Sequence, residues 1–263
     1  MQHSKEKLFA HERKGQMYSL ILENGKMTVS ELADNFQVTP ATVRNDLQEL
    51  ENMHLIIRTH GGAMIHPEKN IKEMEPDEKE TLYFQEKQSI AQAALQYISD
   101  GDTLVLDTGT TTLELAKLLH LKKSVTVITN DLQIGLILQQ SSHIQTHFLS
   151  GIIRHHFHYT LGSDELKAFS VDKAFIAANA LDLHFGPSTP DVHLAKLKKQ
   201  MVSVSDQSIL LCDSSKLGKK AFKSFCAIEE IDVLITDNKI NGILKGDFED
   251  IGINVTIANP FGE

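Results

Sequence analysis

Residues 27–63 read MTVSELADNFQVTPATVRNDLQELENMHLIIRTHGGA, and the spacing of their apolar residues decides the fold of the first part of the chain. Thr28-Val29-Ser30-Glu31 is a capping-box pattern, in which the Thr28 hydroxyl and the Glu31 carboxylate each meet a free backbone amide at a helix start. The helix it opens carries Leu32, Ala33 and Phe36 inward. After a tight Gln37-Val38 turn, Thr39 caps another helix, with Pro40 at a first position where the missing N–H removes no useful bond. Val43, Leu47 and Leu50, spaced by four and then three, form its buried stripe. Ala41, Arg44, Asn45 and Gln48 point away from that stripe on an ideal helix. Upstream, residues 13–23 read as a helix with Met17, Leu20 and Ile21 on one face and Asn24-Gly25 as its stop. Downstream, Leu55, Ile56 and Ile57 are strand-like, and Gly61-Gly62 allow the sharp reversal of a β-wing. Three short helices followed by such a wing predict a winged helix-turn-helix.

From Pro67 to Glu80 the composition shifts to Glu, Lys and Asp with few apolar residues, which reads as a linker. An amphipathic helix follows through Ile90, Ala91, Ala94, Leu95 and Ile98, ending at Asp100-Gly101. Beyond it, strand-like runs at 103–106, 125–129, 146–149, 174–178, 209–212, 233–236 and 254–258 alternate with helical stretches at 113–119, 132–140 and 194–203. That alternation predicts an α/β domain: a largely parallel sheet, helices on both faces, and ligands at the carboxyl ends of the strands. The expected organisation is a winged helix-turn-helix domain at 10–66, a linker at 67–80 and a larger α/β domain at 81–263.

Composition bounds the function. The chain has 263 residues, 41% hydrophobic and 23% charged, which suits an ordinary globular protein. No apolar run approaches the roughly 20 residues that span a bilayer, and the opening MQHSKEKLFAHERKGQ is too polar for a signal peptide; a cytoplasmic protein without a membrane partner is expected. Cys212 and Cys226 suggest no disulfide framework. Net charge is -9, and residues 1–66 hold seven Lys and Arg against eight Asp and Glu, so the electrostatic footprint usual for a DNA-binding domain is missing. DNA binding must rest on the motif. Arg44 can fork onto guanine, Asn45 and Gln48 can pair with adenine, and Thr39 and Thr42 suit phosphate contacts. Ala41, Arg58 and His60 complete the expected DNA-binding set. A helical protein-interaction module is the competing reading of residues 13–60.

In DGDTLVLDTGTTT at 100–112 a strand ends at Asp107, Gly109 permits a tight turn, and Thr110, Thr111 and Thr112 begin a helix. Amides, hydroxyls and the positive helix end then converge where a phosphate can sit, with Asp107 and Thr108 beside it. Plain helix capping would use the same residues. His155, His156 and His158, near His143 and His147, fit neither an i, i+4 helical pair nor a structural Cys/His site, so no metal is expected.

Residues 27–63 resemble the DeoR family of bacterial sugar-metabolism regulators, with VTPATVRNDL and RTHGGA the most diagnostic pieces. Residues from about 80 to 238 resemble that family's sensor domain, whose fold is similar to type A ribose-5-phosphate isomerase and the glucosamine-6-phosphate deaminases. VITN at 127–130, LCDSSK at 211–216 and VDKAFIAANALD at 171–182 also fit that pattern, and add Asn130, Asp182, Asp213 and Lys216 to the effector-binding candidates. A solvated loop ion pair is the plainer reading of Asp213 and Lys216. The resemblance implies a repressor of a carbohydrate-metabolism operon. It implies a homo-oligomer, dimer or higher, that binds double-stranded operator DNA and is relieved by a phosphorylated sugar, with no cofactor and no enzymatic activity. The chain departs from the family at Asn45, where a second arginine is usual, at Ser150-Gly151 for Gly-Gly, and at Ala177 and Ala180 for glycines. Leu194 stands where the family has an acidic residue before an alanine. The last departure argues against the alternative, a phosphosugar isomerase or deaminase with an appended DNA-binding domain, since isomerisation needs a carboxylate base. Asp107, Asp182 and Asp213 remain the carboxylates such an enzyme would use.

Overall fold

The capping pattern at Thr28 forms as its chemistry predicts. In the computed structural model, which describes residues 10–52, 56–65, 76–162 and 164–260, the Thr28 amide donates to the Glu31 carboxylate at 2.8 Å and the Glu31 amide to the Thr28 hydroxyl at 3.2 Å. Contacts divide the chain into two units, Met1–Phe84 and Gln85–Glu263. The first contains α1 (Ala10–Asn24), β1 (Lys26–Thr28), α2 (Val29–Phe36), α3 (Pro40–Asn52), β2 (Ile56–Thr59), β3 (Gly62–Ile65) and α4 (Pro76–Thr81). Leu55 and residues 66–75 of the expected strand and linker lie outside the described residues; residues 76–80, whose composition reads as linker, belong to α4.

The core of this unit is the expected stripe and its facing residues: Met17, Ile21, Leu32, Val43, Leu47, Leu50 and Ile56 are almost wholly buried. Its small antiparallel sheet runs β1-β3-β2. The two wing glycines have different duties. Gly61 sits in the turn at φ 99°, whereas Gly62 lies in β3, where a Cβ would come within 2.2 Å of the Met27 carbonyl oxygen. Gly62→Ala should therefore push β1 off β3 and destabilise this unit by about 1–3 kcal/mol, the usual range for overpacking. Amide hydrogen exchange should quicken in residues 26–65 and stay unchanged in 103–258; unaltered exchange in β1 and β3 would show the approach to be slack.

The second unit is built from α5 (Phe84–Leu95), β4 (Thr103–Leu106), α6 (Thr110–Leu118), β5 (Val125–Thr129), α7 (Leu132–Leu138), β6 (Ile144–Phe148), β7 (Ile152–Ile153), β8 (Thr160–Leu161), β9 (Val171–Ala177), β10 (Ala180–Asp182), β11 (Gly186–Thr189), α8 (Val192–Ser203), β12 (Ser205–Leu211), β13 (Lys223–Ser224), β14 (Val233–Asp237), α9 (Gly242–Asp250) and β15 (Asn254–Ala258). Seven strands form a wholly parallel sheet in the order β15-β14-β12-β9-β4-β5-β6. Neighbouring residues of one strand enter opposite cores. Leu104, Leu106 and Phe175 pack with α5, α6 and α7, while Val105, Ala174 and Ile176 pack with α8 and α9. Burial on both faces is why these strands read as continuous apolar runs rather than alternating ones.

The strand order carries the function. Along the chain, β4, β5 and β6 are laid in one direction, then β9, β12, β14 and β15 in the other. The reversal falls between β4 and β9, and at such a switch point the carboxyl ends of the strands open a crevice. Two short accessories were not expected from sequence: the β7–β8 hairpin and the antiparallel β10-β11-β13 sheet. Among the described residues no helix is long and apolar enough to cross a membrane.

Candidate functional site

α3 presents two opposite faces. Val43, Asp46, Leu47 and Leu50 are buried, whereas Ala41, Arg44, Asn45 and Gln48 are exposed. Thr39 caps the helix, its hydroxyl accepting from the Thr42 amide at 3.2 Å and lying 2.9 Å from the Thr42 hydroxyl. Arg44 and Asn45 make no hydrogen bond or ion pair among the described residues. Gln48 does: its Oε1 accepts from Arg58 of β2 at 2.5 Å and its Nε2 donates to Asn52 at 3.1 Å. His60 is exposed at the wing tip.

α3 carries three acidic residues, two of them paired with cations of α1, while Glu51 also accepts from Gln48 Nε2 at 3.3 Å. The Arg13 guanidinium grips Asp46 with two bonds, of 2.7 and 3.1 Å; Lys14 pairs with Glu49; and Glu51 accepts the Arg58 backbone amide at 3.1 Å.

At the sheet reversal, Thr108 donates to Asp131 at 2.6 Å, and Asp131 caps α7 through the Gln133 and Ile134 amides at 2.9 and 3.2 Å. Gly109, at φ 155°, caps α6; a Cβ there would stand 3.0 Å from the Ala177 Cβ. Thr108, Gly109 and Thr110 are half-exposed, and the first amides of α6 have no acceptor within the helix. Thr111 and Thr112 are buried, and the Thr112 hydroxyl donates to the Gly109 carbonyl at 2.8 Å. Only the first part of the Thr-rich loop therefore faces outward.

Asp107 is sealed from solvent beneath that loop, bonded to the Lys198 ammonium and, at 2.9 Å, to the Ala177 amide. Lys198 comes from α8, is itself 2% exposed, and also donates to the Ala177 carbonyl at 2.9 Å. Burial pushes the Asp107 carboxyl above the ordinary carboxylate range, against the opposing pull of Lys198 and the Ala177 amide. Burial raises Asp131 as well, despite its hydrogen bonds from Thr108 and the α7 amides. Asn130, just past the end of β5, is also fully buried; its Nδ2 donates to the Thr160 carbonyl at 3.0 Å, so this amide nitrogen holds β8 in place.

The other expected residues differ in kind. Asp213 is buried at the end of β12, with Lys216 at 3.3 Å and the Ser215 amide at 3.2 Å. Burial works against its charge, but Lys216, Ser215 and Lys87 outweigh it and hold the carboxyl below the ordinary range. The pair is real, yet with Asp213 1% exposed it is not a solvated surface pair. Asp182 lies on β10, whose Leu181 bridges to Leu217; its Oδ1 accepts the His184 and Phe185 amides at 3.0 and 2.8 Å and pairs with Lys220 at 3.4 Å. The His155 and His156 rings pack on each other with centroids 4.0 Å apart. Burial pushes both thiols up, that of Cys226 to about 12, so neither is a reactive thiolate.

Sequence reasoning missed Lys198, Asp131, Arg13 and Asp46. A signal existed for two of them. Lys198 occupies the Leu194–Lys198–Met201 stripe of α8, and Asp46 the Val43–Leu47–Leu50 stripe of α3. A charge at an apolar position of a helix implies a buried partner.

The family model described as the DeoR-like helix-turn-helix domain matches residues 13–69, and the one described as the DeoR C terminal sensor domain matches residues 83–238. The chain is similar to the HTH-type transcriptional regulator YulB of Bacillus subtilis, 34% identical over 93% of this chain and 95% of that one. It is similar also to the lactose phosphotransferase system repressor of Staphylococcus epidermidis, 33% identical over 87% and 92%. A solved ribose 5-phosphate isomerase A from Methanocaldococcus jannaschii aligns over 50% of this chain and 53% of its own at 19% identity, with a TM-score of 0.38, too loose a likeness to carry an argument.

Proposed function

The chain belongs to the DeoR family of transcriptional regulators, and from that premise we propose that it is a cytoplasmic repressor of a carbohydrate-metabolism operon, released from its operator by a phosphorylated sugar. The DNA-binding unit extends to Phe84 and the sensing unit runs from Gln85, and the working form is a homo-oligomer on repeated half-sites. Arg44, Asn45 and Gln48 read base edges. Thr39, Thr42 and the wing residues Arg58 and His60 contact the backbone. A relative named as the lactose phosphotransferase system repressor supports the choice of operon.

The observation that carries the effector reading is the half-exposed turn Thr108–Thr110 at the start of α6, at the reversal of strand order. A helix start with free amides favours a phosphate, and Lys216 supplies a point charge. Asp131 holds this turn through Thr108, and Asp107, Asn130 and Asp213 are buried at the ends of neighbouring strands. Binding without turnover is the reading we propose, supported by the engagement of Asp107, Asp131, Asp182 and Asp213 with a cation or with amides.

Thermal melting of the full chain tests this. At about 100 times its dissociation constant, the effector should stabilise the folded state by about 2.7 kcal/mol. A phosphosugar should raise the melting temperature while its unphosphorylated parent does not, and should weaken operator binding in a gel shift. Gly109→Val should remove the melting shift, since its branched side chain meets Ala177. Equal shifts from free and phosphorylated sugars, or normal binding by Gly109→Val, would refute the phosphate-turn reading.

A further inference from the structure

We propose that Arg13 is a positioning residue for DNA recognition: by gripping Asp46 from α1, it sets the rotation of α3 about its own axis and so aims Arg44 and Gln48 at the bases. The inference rests on α3 being the helix that reads DNA.

The placement is unusual for a carboxylate. Asp46 is 4% exposed and sits among Val43, Leu47 and Leu50 on the buried face. An apolar residue there would bury more cheaply, because desolvating a charged pair offsets much of its attraction. What the pair adds is direction. Arg13 Nε meets Asp46 Oδ2 at 2.7 Å and Nη2 meets Oδ1 at 3.1 Å, a fork that fixes the two planar groups relative to each other. Leu47 and Leu50 pack without such directional preference and tolerate small rotations.

Helical geometry then places the clamp opposite the reading face. At 3.6 residues per turn, Arg44 and Gln48 each lie about 160° around α3 from Asp46. A rotation of about 10° moves side chains at a radius of roughly 5–6 Å by about 1 Å. That displacement spoils a bidentate base contact while leaving contacts to phosphates, which fix little geometry, nearly intact. Lys14 and Glu49 pair beside the fork, but Glu49 is half-exposed, so that pair holds α3 only weakly.

The test is Arg13→Lys in the full chain. Lysine keeps the charge next to Asp46 and loses the fork. The probe is a duplex selected by the wild-type chain from a random library, measured against an unselected duplex of equal length, well below the melting temperature. Arg13→Lys should lower the ratio of selected to unselected affinity by about threefold or more, with unselected affinity nearly unchanged. Arg13→Gln, which restores one planar donor without the charge, should lose the ratio further. A smaller change in the ratio for Arg13→Lys, whatever happens to its melting temperature, leaves the residue a structural one and overturns the proposal. Arg44→Ala is run alongside. If it too keeps the ratio, α3 does not read bases and the whole assignment falls; if it alone loses the ratio, only the role of Arg13 fails.

Discussion

Lys198→Ala should destabilise the sensor unit by about 3–5 kcal/mol, the range found when one partner of a buried ion pair is removed. Lys198 is the ion-pair partner of Asp107, and both side chains are all but inaccessible to water. Without the ammonium, Asp107 must stay charged in a desolvated site or bind a proton. Its folded pKa, already raised by burial, rises further above the unfolded value. A carboxyl with a raised folded pKa favours the folded state at low pH and loses that advantage as pH climbs toward the folded pKa. The stability deficit of Lys198→Ala should therefore widen as pH rises above the ordinary carboxylate range, as followed by chemical denaturation at each pH. The double variant Lys198→Met with Asp107→Leu removes both charges and should recover most of the loss. A pH-independent deficit, equal in the single and double variants, would show that Lys198 matters through packing alone.

For Arg44→Ala the expected result is loss of operator recognition with the fold intact. Arg44 is exposed on α3 and has no partner among the described residues, so its removal frees no buried group. A bidentate arginine–guanine contact discriminates by about 1–3 kcal/mol, and two half-sites roughly double this. Fluorescence anisotropy should show affinity for the selected duplex falling toward that for unselected DNA, while the phosphosugar-dependent melting shift persists. Gln48→Ala should cost less, because Gln48 must first release Arg58, Glu51 and Asn52 to reach a base. Wild-type affinity in Arg44→Ala would remove this residue from the reading face.

Much of the fold was legible because its determinants are local. The capping box at Thr28, the stripe of α3 and the stop at Gly25 each involve residues within one or two helical turns. Central strands such as β4 and β5 announce themselves as apolar runs, since both faces are buried. The β10-β11-β13 sheet gives no comparable sign. Its strands are two to four residues long, and Ser188 pairs with Ser224 across an intervening helix and strand. The turn Asp107–Thr112 was legible as a strand end followed by a helix start. Which of its threonines face outward was not, because Thr111 and Thr112 differ from Thr110 only in what packs on them.

Amino-acid order alone determined that a helix-turn-helix precedes an α/β unit, and that a Thr-rich helix start closes one of its strands. Period, caps and glycines act over a few residues, and chain order records them directly. Only the tertiary structure decided how the charges are disposed. Asp107 finds Lys198 91 positions away, and Asp46 finds Arg13 33 positions away. These charges can be buried only because each brings its partner into the same desolvated site, and that meeting depends on how helices and strands pack.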